Sequence, residues 1–342
     1  MEHLNLEPHP SKREALAVRI TVLGAGAWGT ALAKLLHEAK HDVVLWGHEE
    51  RLSAIREKGR NDRYLPEVDL PRDWQLEKDL ATALDGATCA IVAVPSRSFR
   101  ETATLLRGFN GIAVSVTKGI ENESGLTMGA VLAENCKRAE IAALSGPSLA
   151  AEVARGIPTA LVSASSEEAT AKVVQDLLHR PTLRVYTSTD LAGVELGGAL
   201  KNVVAIAAGV CDGFKFGDNA KAALITRGLG EMRRLGVACG ARPGTFSGLS
   251  GMGDLTVTCF SPQSRNRTLG ERLARGENLK TVLTEATAEG YPTTLSAHQL
   301  ARRLGINTPI IDEVHAILYK AKDAKKAMRD LLTRESKAED QD

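Results

Sequence analysis

Two lysines lie where an ammonium group could take part in chemistry. Lys118 follows the apolar run 111–116, and a side chain just past a strand points into the ligand crevice of an α/β domain. Lys201 lies within the apolar segment 195–203, whose spacing predicts a helix and a partly buried ammonium group. Burial lowers the pKa of a lysine and suits it to proton transfer. The alternatives are a solvated loop lysine at position 118 and a structural lysine at position 201.

A second set of polar residues predicts a phosphate site. Asp254 is a carboxylate flanked by glycines, and the run QSRNR follows it. Ser264, Arg265 and Asn266 offer a hydroxyl, a guanidinium and an amide at the predicted start of a helix, where free backbone N–H groups also favour an anion. The alternative is a capped surface helix with an arginine-rich face.

The segment SGPS offers a further contact to the same crevice. It follows the predicted strand 141–144 and precedes the helical stretch LAAEVARG, which places Gly146 and Ser148 at a helix start. The alternative is that Ser148 only caps its own helix.

The sequence GAGAWG fits the dinucleotide-binding pattern GxGxxG, between a predicted strand and a predicted helix. Gly24 and Gly26 let the backbone turn tightly and approach a pyrophosphate, and Gly29 lets the helix pack closely on the strand. Ala27 and Trp28 then lie against the cofactor. The alternative is a strand-to-helix turn that binds no ligand.

The end of the second predicted strand bears on the choice of cofactor. An NAD-selective site places an acid there, but this strand ends in LWGH. His48, with Arg51 one turn later, could accept the 2′-phosphate of NADP, whereas Glu49 and Glu50 oppose a second anion. The sequence therefore leaves NADP and NAD as alternatives, and a solvated helix start is the alternative role for His48 and Arg51.

The elements that position these residues alternate along the first half of the chain. Apolar runs predict strands at 18–23, 41–46, 87–94, 111–116, 141–144 and 159–162, with helices at 30–39 and 49–58. Strands that are apolar on both faces indicate an α/β fold with a Rossmann-type doubly wound sheet. From residue 190 onward, helical spacing of alanine, leucine and charged residues predicts an all-helical C-terminal domain.

This pattern divides the chain of 342 residues into four predicted parts. We expect a disordered polar leader at 1–17, a dinucleotide-binding Rossmann domain at 18–189, a helical substrate domain at 190–335 and a charged tail at 336–342.

Charge and cysteine content exclude several classes of protein. The 43 lysines and arginines balance 42 aspartates and glutamates, which argues against nucleic acid or an anionic membrane as a partner. Five scattered cysteines without a CxxC pair favour buried thiols in a reducing cytoplasm and give no metal site.

The apolar run 203–210 is far shorter than the roughly 18 residues of a membrane helix, so no stable membrane insertion is expected. Apolar segments of the helical domain lead us to expect a homodimer.

Taken in order, these elements resemble the bacterial NAD(P)-dependent glycerol-3-phosphate dehydrogenases. The resemblance covers residues 18–322 and rests on GAGAWGTALA, LWGH, NDRYLP, VPS, TKGIE, SGPSLAAE, ELGGALKNV, ALITRGLGEM, GMGDL, QSRNR and AEGYPT. It implies interconversion of sn-glycerol 3-phosphate and dihydroxyacetone phosphate with NADP or NAD, which supplies glycerol 3-phosphate for phospholipid synthesis.

The resemblance also implies roles for individual residues. Lys201 becomes the catalytic proton donor or acceptor. The residues expected at the substrate are Lys118, Gly146, Ser148, Lys201, Asp254, Ser264, Arg265 and Asn266. The residues expected at the cofactor are Gly24, Gly26, Ala27, Trp28, Gly29, His48, Tyr64, Lys118, Ala150, Arg265, Thr287 and Glu289. Of these, Tyr64, Thr287 and Glu289 rest on the resemblance alone, and Thr287 stands where valine is common in the family.

Two other functions stay open on the sequence. A related hydroxyacid or imine reductase would also use a helix-borne lysine and asparagine, although QSRNR favours a phosphorylated substrate. A non-catalytic nicotinamide-sensing protein would bind the cofactor without turnover, because a fold alone never establishes catalysis.

Overall fold

The computed structural model describes residues 17–285, 287–335 and 338. An eight-stranded sheet forms the core of the first half, and a two-stranded antiparallel ribbon, β3 with β4, lies beside it. The strands are β1 (Arg19–Leu23), β2 (Asp42–Trp46), β3 (Arg60–Asn61), β4 (Leu65–Asp69), β5 (Gln75–Glu77), β6 (Cys89–Val92), β7 (Ile112–Ser115), β8 (Glu140–Ser145), β9 (Thr159–Ala164) and β10 (Leu183–Ser188). The strand order in the large sheet is β10-β9-β8-β7-β6-β1-β2-β5.

The last two strands of the large sheet, β9 and β10, run in the opposite direction to the other six. Strands β1, β2, β5, β6, β7 and β8 are parallel, but β9 pairs antiparallel with β8, and β10 is parallel to β9. A parallel connection needs a crossover that returns the chain across the sheet. The helix between β8 and β9 is a single turn that packs on the first helix, so the chain reverses instead. The predicted Rossmann-type fold is confirmed, with this reversal as a departure.

Among the described residues of the first half, seven α-helices accompany the sheet and cover its apolar faces. They are α1 (Ala27–Glu38), α2 (Glu49–Lys58), α3 (Leu80–Leu84), α4 (Phe99–Leu105), α5 (Met128–Asn135), α6 (Ala150–Ala154) and α7 (Glu168–Leu178). The sheet is buried between two apolar clusters, because its strands carry apolar side chains on both faces.

The second half is helical, as the sequence predicts. Its helices are α8 (Leu191–Gly213), α9 (Asp218–Ala238), α10 (Asp254–Phe260), α11 (Arg265–Ala274), α12 (Leu279–Glu285), α13 (Gly290–Leu304), α14 (Pro309–Tyr319) and α15 (Ala324–Leu332). A π-helical turn, Leu249–Gly253, leads into α10. The domain boundary at 189/190 stays a prediction, although α8 begins one residue after it with Asp190 as its N-cap. The leader at 1–17 and the tail at 336–342 lie almost entirely outside the described residues.

Helix α8 is the centre of the helical half. It is long and apolar enough to cross a membrane by length and composition, but its residues are buried inside the protein. The run 203–210 is the longest part of α8 that the sequence predicts to be apolar without a charge or a polar break, and Glu195, Lys201 and Asn202 precede it in the same helix. The burial is that of a core helix of a folded protein.

A buried carboxylate joins α8 to the sheet half. Glu195 accepts hydrogen bonds from Thr127 Oγ1 (2.7 Å) and from the backbone N–H of Gly129 (2.6 Å) at the start of α5. Burial raises the pKa of Glu195 to about 7, against the effect of these two hydrogen bonds. The contact fixes α8 relative to the strands whose carboxyl ends it faces.

Candidate active site

Asp254 lies at the centre of the candidate site and binds two ammonium groups. Its carboxylate is 2.5 Å from Lys118 Nζ through Oδ2 and 2.8 Å from Lys201 Nζ through Oδ1. Lys118 follows β7, Lys201 lies midway along α8, and Asp254 is the first residue of α10. Because the Asp254 side chain is only 1% exposed, it pairs with these cations away from bulk water. Three segments far apart in the sequence thus meet at one carboxylate.

The environment of Lys201 suits a proton donor and acceptor. Its ammonium donates to Thr258 Oγ1 at 2.6 Å, and Thr258 in turn donates to the backbone carbonyl of Asp254. The pKa of Lys201 is lowered to about 8, because burial and the neighbouring Lys118 ammonium lower it by more than the Asp254 carboxylate raises it. Both protonation states of Lys201 are therefore accessible near neutral pH, as general acid–base catalysis requires.

Lys118 joins the site to the predicted SGPS segment. Its ammonium donates to the Gly146 carbonyl at 3.0 Å and to Ser148 Oγ at 3.4 Å. Ser148 is not the cap of α6, because this helix begins at Ala150 after Leu149, and the Ser148 hydroxyl donates to the Gly146 carbonyl instead. The alternative that Ser148 only caps its helix is therefore wrong.

A glycine of α8 permits this close approach. A Cβ atom added to Gly198 would lie 2.5 Å from Ser145 Oγ and 3.5 Å from Lys118 Cγ, so a larger residue would push the sheet half away. A Cβ atom added to the neighbouring Gly197 would lie 2.8 Å from the Ser250 carbonyl oxygen of the helical half. Gly198 therefore permits the close approach of the sheet half, whereas Gly197 permits close packing within the helical half.

The predicted phosphate residues begin α11. Ser264 caps this helix by accepting from the Arg267 N–H at 3.2 Å, and the Arg265 side chain is exposed. Asn266 is buried: its amide nitrogen donates to Asn202 Oδ1 at 2.8 Å, and its oxygen accepts from the Gly290 N–H at 2.9 Å. Asn202 was missed by the sequence argument, although an amide beside Lys201 in an apolar helix was the available signal.

The glycine turn has the geometry of a dinucleotide site. Gly24 has a φ of +122°, and an added Cβ would lie 2.5 Å from the Ala93 carbonyl. A Cβ at Gly29 would overlap the Gly24 carbonyl, whereas one at Gly26 would meet nothing within 4 Å. The turn is thus closed on the protein side and open at Gly26, which fits the approach of a pyrophosphate.

A buried asparagine supports this turn. Asn61 Nδ2 lies 3.1 Å from the Ala25 carbonyl and 2.9 Å from Thr30 Oγ1, so it bridges the turn and the first helix. Asn61 belongs to the NDRYLP element, but its role depends on tertiary contact and the sequence argument did not identify it.

The other predicted cofactor residues are spread over several segments. Trp28 is partly exposed in α1, and His48 is the exposed residue at the start of α2. Glu289 accepts a hydrogen bond from Ser96 Oγ at 2.5 Å, which joins the start of α13 to the segment after β6, and burial raises the pKa of Glu289. Thr287 is exposed, and Ala150 is the partly buried first residue of α6.

Comparison with known proteins agrees with this geometry. Residues 19–171 match the family described as NAD-dependent glycerol-3-phosphate dehydrogenase N-terminus, and residues 190–329 match the corresponding C-terminus. A relative from Salinibacter ruber named glycerol-3-phosphate dehydrogenase [NAD(P)+] 1 is 48% identical over 329 residues, which covers 94% of this chain and 96% of the relative. Another from Chlorobium phaeobacteroides, with the same enzyme name, is 46% identical over 94% of this chain and 99% of the relative.

Solved structures give the same result. The crystal structure of glycerol-3-phosphate dehydrogenase from Coxiella burnetii matches with a TM-score of 0.90 and 39% identity, over 93% of this chain and 99% of that one. A ketopantoate reductase from Ralstonia eutropha JMP134 shares only the fold, with a TM-score of 0.58 and 17% identity over 91% of this chain and 100% of that one. The chain therefore belongs to the NAD(P)-dependent glycerol-3-phosphate dehydrogenase family and is an NAD(P)-dependent oxidoreductase.

Proposed function

We propose that this protein interconverts sn-glycerol 3-phosphate and dihydroxyacetone phosphate and so supplies glycerol 3-phosphate for phospholipid synthesis. The observation that carries the proposal is the buried Lys201–Asp254–Lys118 group, which joins the carboxyl ends of the strands to α8 and α10. It occurs in a chain whose relatives are named for this reaction.

Lys201 is the proposed general acid and base. When bound at the glycine turn, the reduced form of NADP or NAD would supply a hydride to the central carbon of the substrate, and the oxidised form would accept one. In the direction of reduction the Lys201 ammonium gives its proton to the carbonyl oxygen, which becomes the hydroxyl, and solvent then restores the proton. In the opposite direction neutral Lys201 takes the hydroxyl proton. Asp254 holds the lysine in place, and the Lys118 ammonium stabilises negative charge on the reacting oxygen.

The start of α11 is the proposed phosphate site. The exposed Arg265 guanidinium and the first backbone N–H groups of this ten-residue helix supply donors to the phosphate. The amide of Asn266 keeps one hydrogen beyond the bond to Asn202, and Ser264 lies beside it. Binding at this remote group would orient the reacting carbon. Gly146 and Ser148 complete the proposed substrate contacts through their bonds to Lys118.

The proposed cofactor contacts follow the turn and its neighbouring loops. They are Gly24, Gly26, Ala27, Trp28, Gly29, His48, Tyr64, Lys118, Ala150, Arg265, Thr287 and Glu289. The open face at Gly26 supports the proposal at the turn, and the Glu289–Ser96 hydrogen bond supports it at the start of α13.

The cellular setting of the protein is proposed from its composition. We propose a cytoplasmic homodimer that binds no nucleic acid and does not insert stably into a membrane. The balanced charge supports the absence of a nucleic-acid partner, and the burial of α8 supports the absence of membrane insertion. Light scattering of the purified protein tests the dimer.

The function is tested by cofactor oxidation. Purified protein should oxidise NADPH or NADH only when dihydroxyacetone phosphate is present. Lys201→Ala should lose about a thousandfold in turnover, because it removes the proton donor, and should still bind cofactor by calorimetry. Turnover of 2-oxoacids but not of dihydroxyacetone phosphate would favour the hydroxyacid reductase, and cofactor binding without any turnover would favour the sensing protein. Full activity of Lys201→Ala would refute the role of this lysine.

A further inference from the structure

The segment between β7 and α5 folds into a compact hairpin directly after Lys118. We call residues 120–127 the Lys118 hairpin. Ile120 pairs with Thr127 in an antiparallel bridge, and the Glu121 N–H donates across the hairpin at 2.9 Å. Because the bridge brings both ends of the hairpin together, Thr127 lies close to its start although it is more distant in the sequence. A contact at either end therefore bears on the position of Lys118.

Helix α8 holds the end of the Lys118 hairpin through the buried side chain of Glu195. This carboxyl group accepts hydrogen bonds from Thr127 Oγ1 at 2.7 Å and from the Gly129 N–H at 2.6 Å. Glu195 is 6% exposed and lies in the same helix as Lys201. Breaking these bonds would leave buried polar groups without partners, which is costly. The contact therefore joins the hairpin firmly to the helix that carries Lys201.

Helix α13 holds the start of the same hairpin. The buried Ser296 hydroxyl donates to the Ile120 carbonyl at 2.9 Å and lies beside the Asn122 side chain. The Ile120 side chain is buried in the apolar core of the helical half. On the other side, Arg100 of α4 binds Glu121 at 2.7 Å, so the hairpin also contacts the sheet half. The hairpin is thus joined to the helical half through buried groups at both of its ends.

The position of Lys118 matters because this residue shares one carboxylate with Lys201. Their ammonium groups lie 2.5 Å and 2.8 Å from the two oxygens of Asp254. Lys118, Asp254 and Cys259 are the ionisable groups that act on Lys201: Lys118 lowers its pKa, and the other two raise it. If Lys118 moved away, the repulsion would fall and Asp254 would pair with Lys201 alone. The pKa of Lys201 would then rise.

We propose that Glu195 and Ser296 are positioning residues, which hold the Lys118 hairpin so that Lys118 stays at Asp254 and beside Lys201. Two ammonium groups repel each other, and a loop without buried contacts would yield to this force. The buried hydrogen bonds of the hairpin oppose it, and neither residue needs to touch the substrate. The proposal rests on the proposed function only for the reaction that kcat measures.

The first test measures the pKa of Lys201 and needs no turnover. Trace labelling of the full-length protein with acetic anhydride, from about pH 6 to about pH 10, reports the neutral fraction of this amine by peptide mass spectrometry. Ser296→Ala removes no ionisable group and should raise the pKa of Lys201 by about half a pH unit or more. Thr294→Val is the matched control and should leave this pKa unchanged, because the buried Thr294 hydroxyl donates within α13 to the Gly290 carbonyl.

A double variant shows whether the effect passes through Lys118. Lys118→Met removes the ammonium that repels Lys201, so it should raise the pKa of Lys201 by itself. Adding Ser296→Ala to Lys118→Met should then give no further rise. A further rise of the same size would overturn the proposal, as would a pKa in Ser296→Ala equal to that in Thr294→Val. Thermal unfolding of each variant shows whether the fold is kept.

Glu195 supplies a second pair of variants. Glu195→Ala removes both contacts to the hairpin and should lower kcat for dihydroxyacetone phosphate about tenfold, with KM for NADPH within about twofold. Glu195→Gln should recover most of this kcat, because an amide can accept from the Gly129 N–H and donate to Thr127 Oγ1. Equal losses of kcat in the two variants would refute the positioning role of Glu195.

The two tests separate this proposal from the proposed function. A protein in which the pKa of Lys201 responds to Ser296→Ala, but which does not reduce dihydroxyacetone phosphate, would refute the proposed function and leave the positioning roles intact. An active protein in which Ser296→Ala and Glu195→Ala change neither the pKa of Lys201 nor kcat would refute the positioning roles alone.

Discussion

Two aspartates of the helical half each bind two cations, and the cations differ. Asp254 binds Lys118 and Lys201 at 2.5 and 2.8 Å. Asp212, near the end of α8, binds Lys221 at 2.8 Å and Arg267 at 2.5 Å. The Asp254 side chain is 1% exposed and that of Asp212 is 20% exposed.

The difference explains why one group suits chemistry and the other suits positioning. A buried lysine can release its proton, and burial brings the pKa of Lys201 to about 8. An arginine stays protonated in proteins, so the Arg267–Asp212 pair keeps its charge. Asp212 joins α8, α9 and α11, and the Lys221 ammonium also lies 4.6 Å from the centroid of the Phe260 ring. The Asp254 group is therefore suited to proton transfer, and the Asp212 group is suited to fixing the helix start at the proposed phosphate site.

Of the changes to these two aspartates, removing the charge of Asp254 should have the largest effect on turnover. Asp254→Asn leaves two buried ammonium groups without their carboxylate, which removes the contact that holds Lys201 and lowers the pKa of this lysine further. We expect kcat for dihydroxyacetone phosphate at neutral pH to fall about a hundredfold to a thousandfold. Steady-state kinetics at saturating cofactor measure this, with Asp212→Asn as the control. Retention of more than a tenth of the turnover would contradict the role of Asp254.

The two directions of the reaction should respond oppositely to pH. Reduction needs the protonated Lys201, so kcat/KM for dihydroxyacetone phosphate should be constant below pH 8 and fall about tenfold per pH unit above it. Oxidation needs the neutral amine, so kcat/KM for glycerol 3-phosphate should rise with pH up to about 8 and then level off. Asp254→Asn should move both inflections to lower pH. Profiles that lack an inflection between pH 7 and 9 would show that Lys201 is not the titrating group.

The sequence predicted those features whose physical cause lies within a few neighbouring residues. The glycines of GAGAWG are identifiable because a tight turn and a close helix need them, and the burial of Lys201 follows from its apolar neighbours. The start of α8 after Asp190 was equally visible, since an aspartate is a good N-cap.

Contacts between distant segments were not visible in this way. Lys118 and Asp254 are 136 residues apart, and neither segment carries a local pattern that predicts a contact with the other. The bridge from Asn61 to the glycine turn and the amide pair of Asn202 with Asn266 likewise arise only when the chain folds. The reversal of β9 depends on where α6 packs, which its five residues do not specify.

Removing the charge of Asp212 should have the smallest effect on catalysis, and it tests whether this aspartate acts on substrate binding rather than on the reacting atoms. Asp212→Asn leaves Lys221 and Arg267 without their shared carboxylate, and Arg267 carries the N–H that Ser264 caps. The first turn of α11 should shift, so KM for dihydroxyacetone phosphate should rise about fivefold while kcat changes less than about threefold. KM for NADPH should stay constant, and a general loss of folding would change it as well. A fall in kcat with constant KM would instead mean that Asp212 acts on the reacting atoms, and the division between the two aspartates would fail.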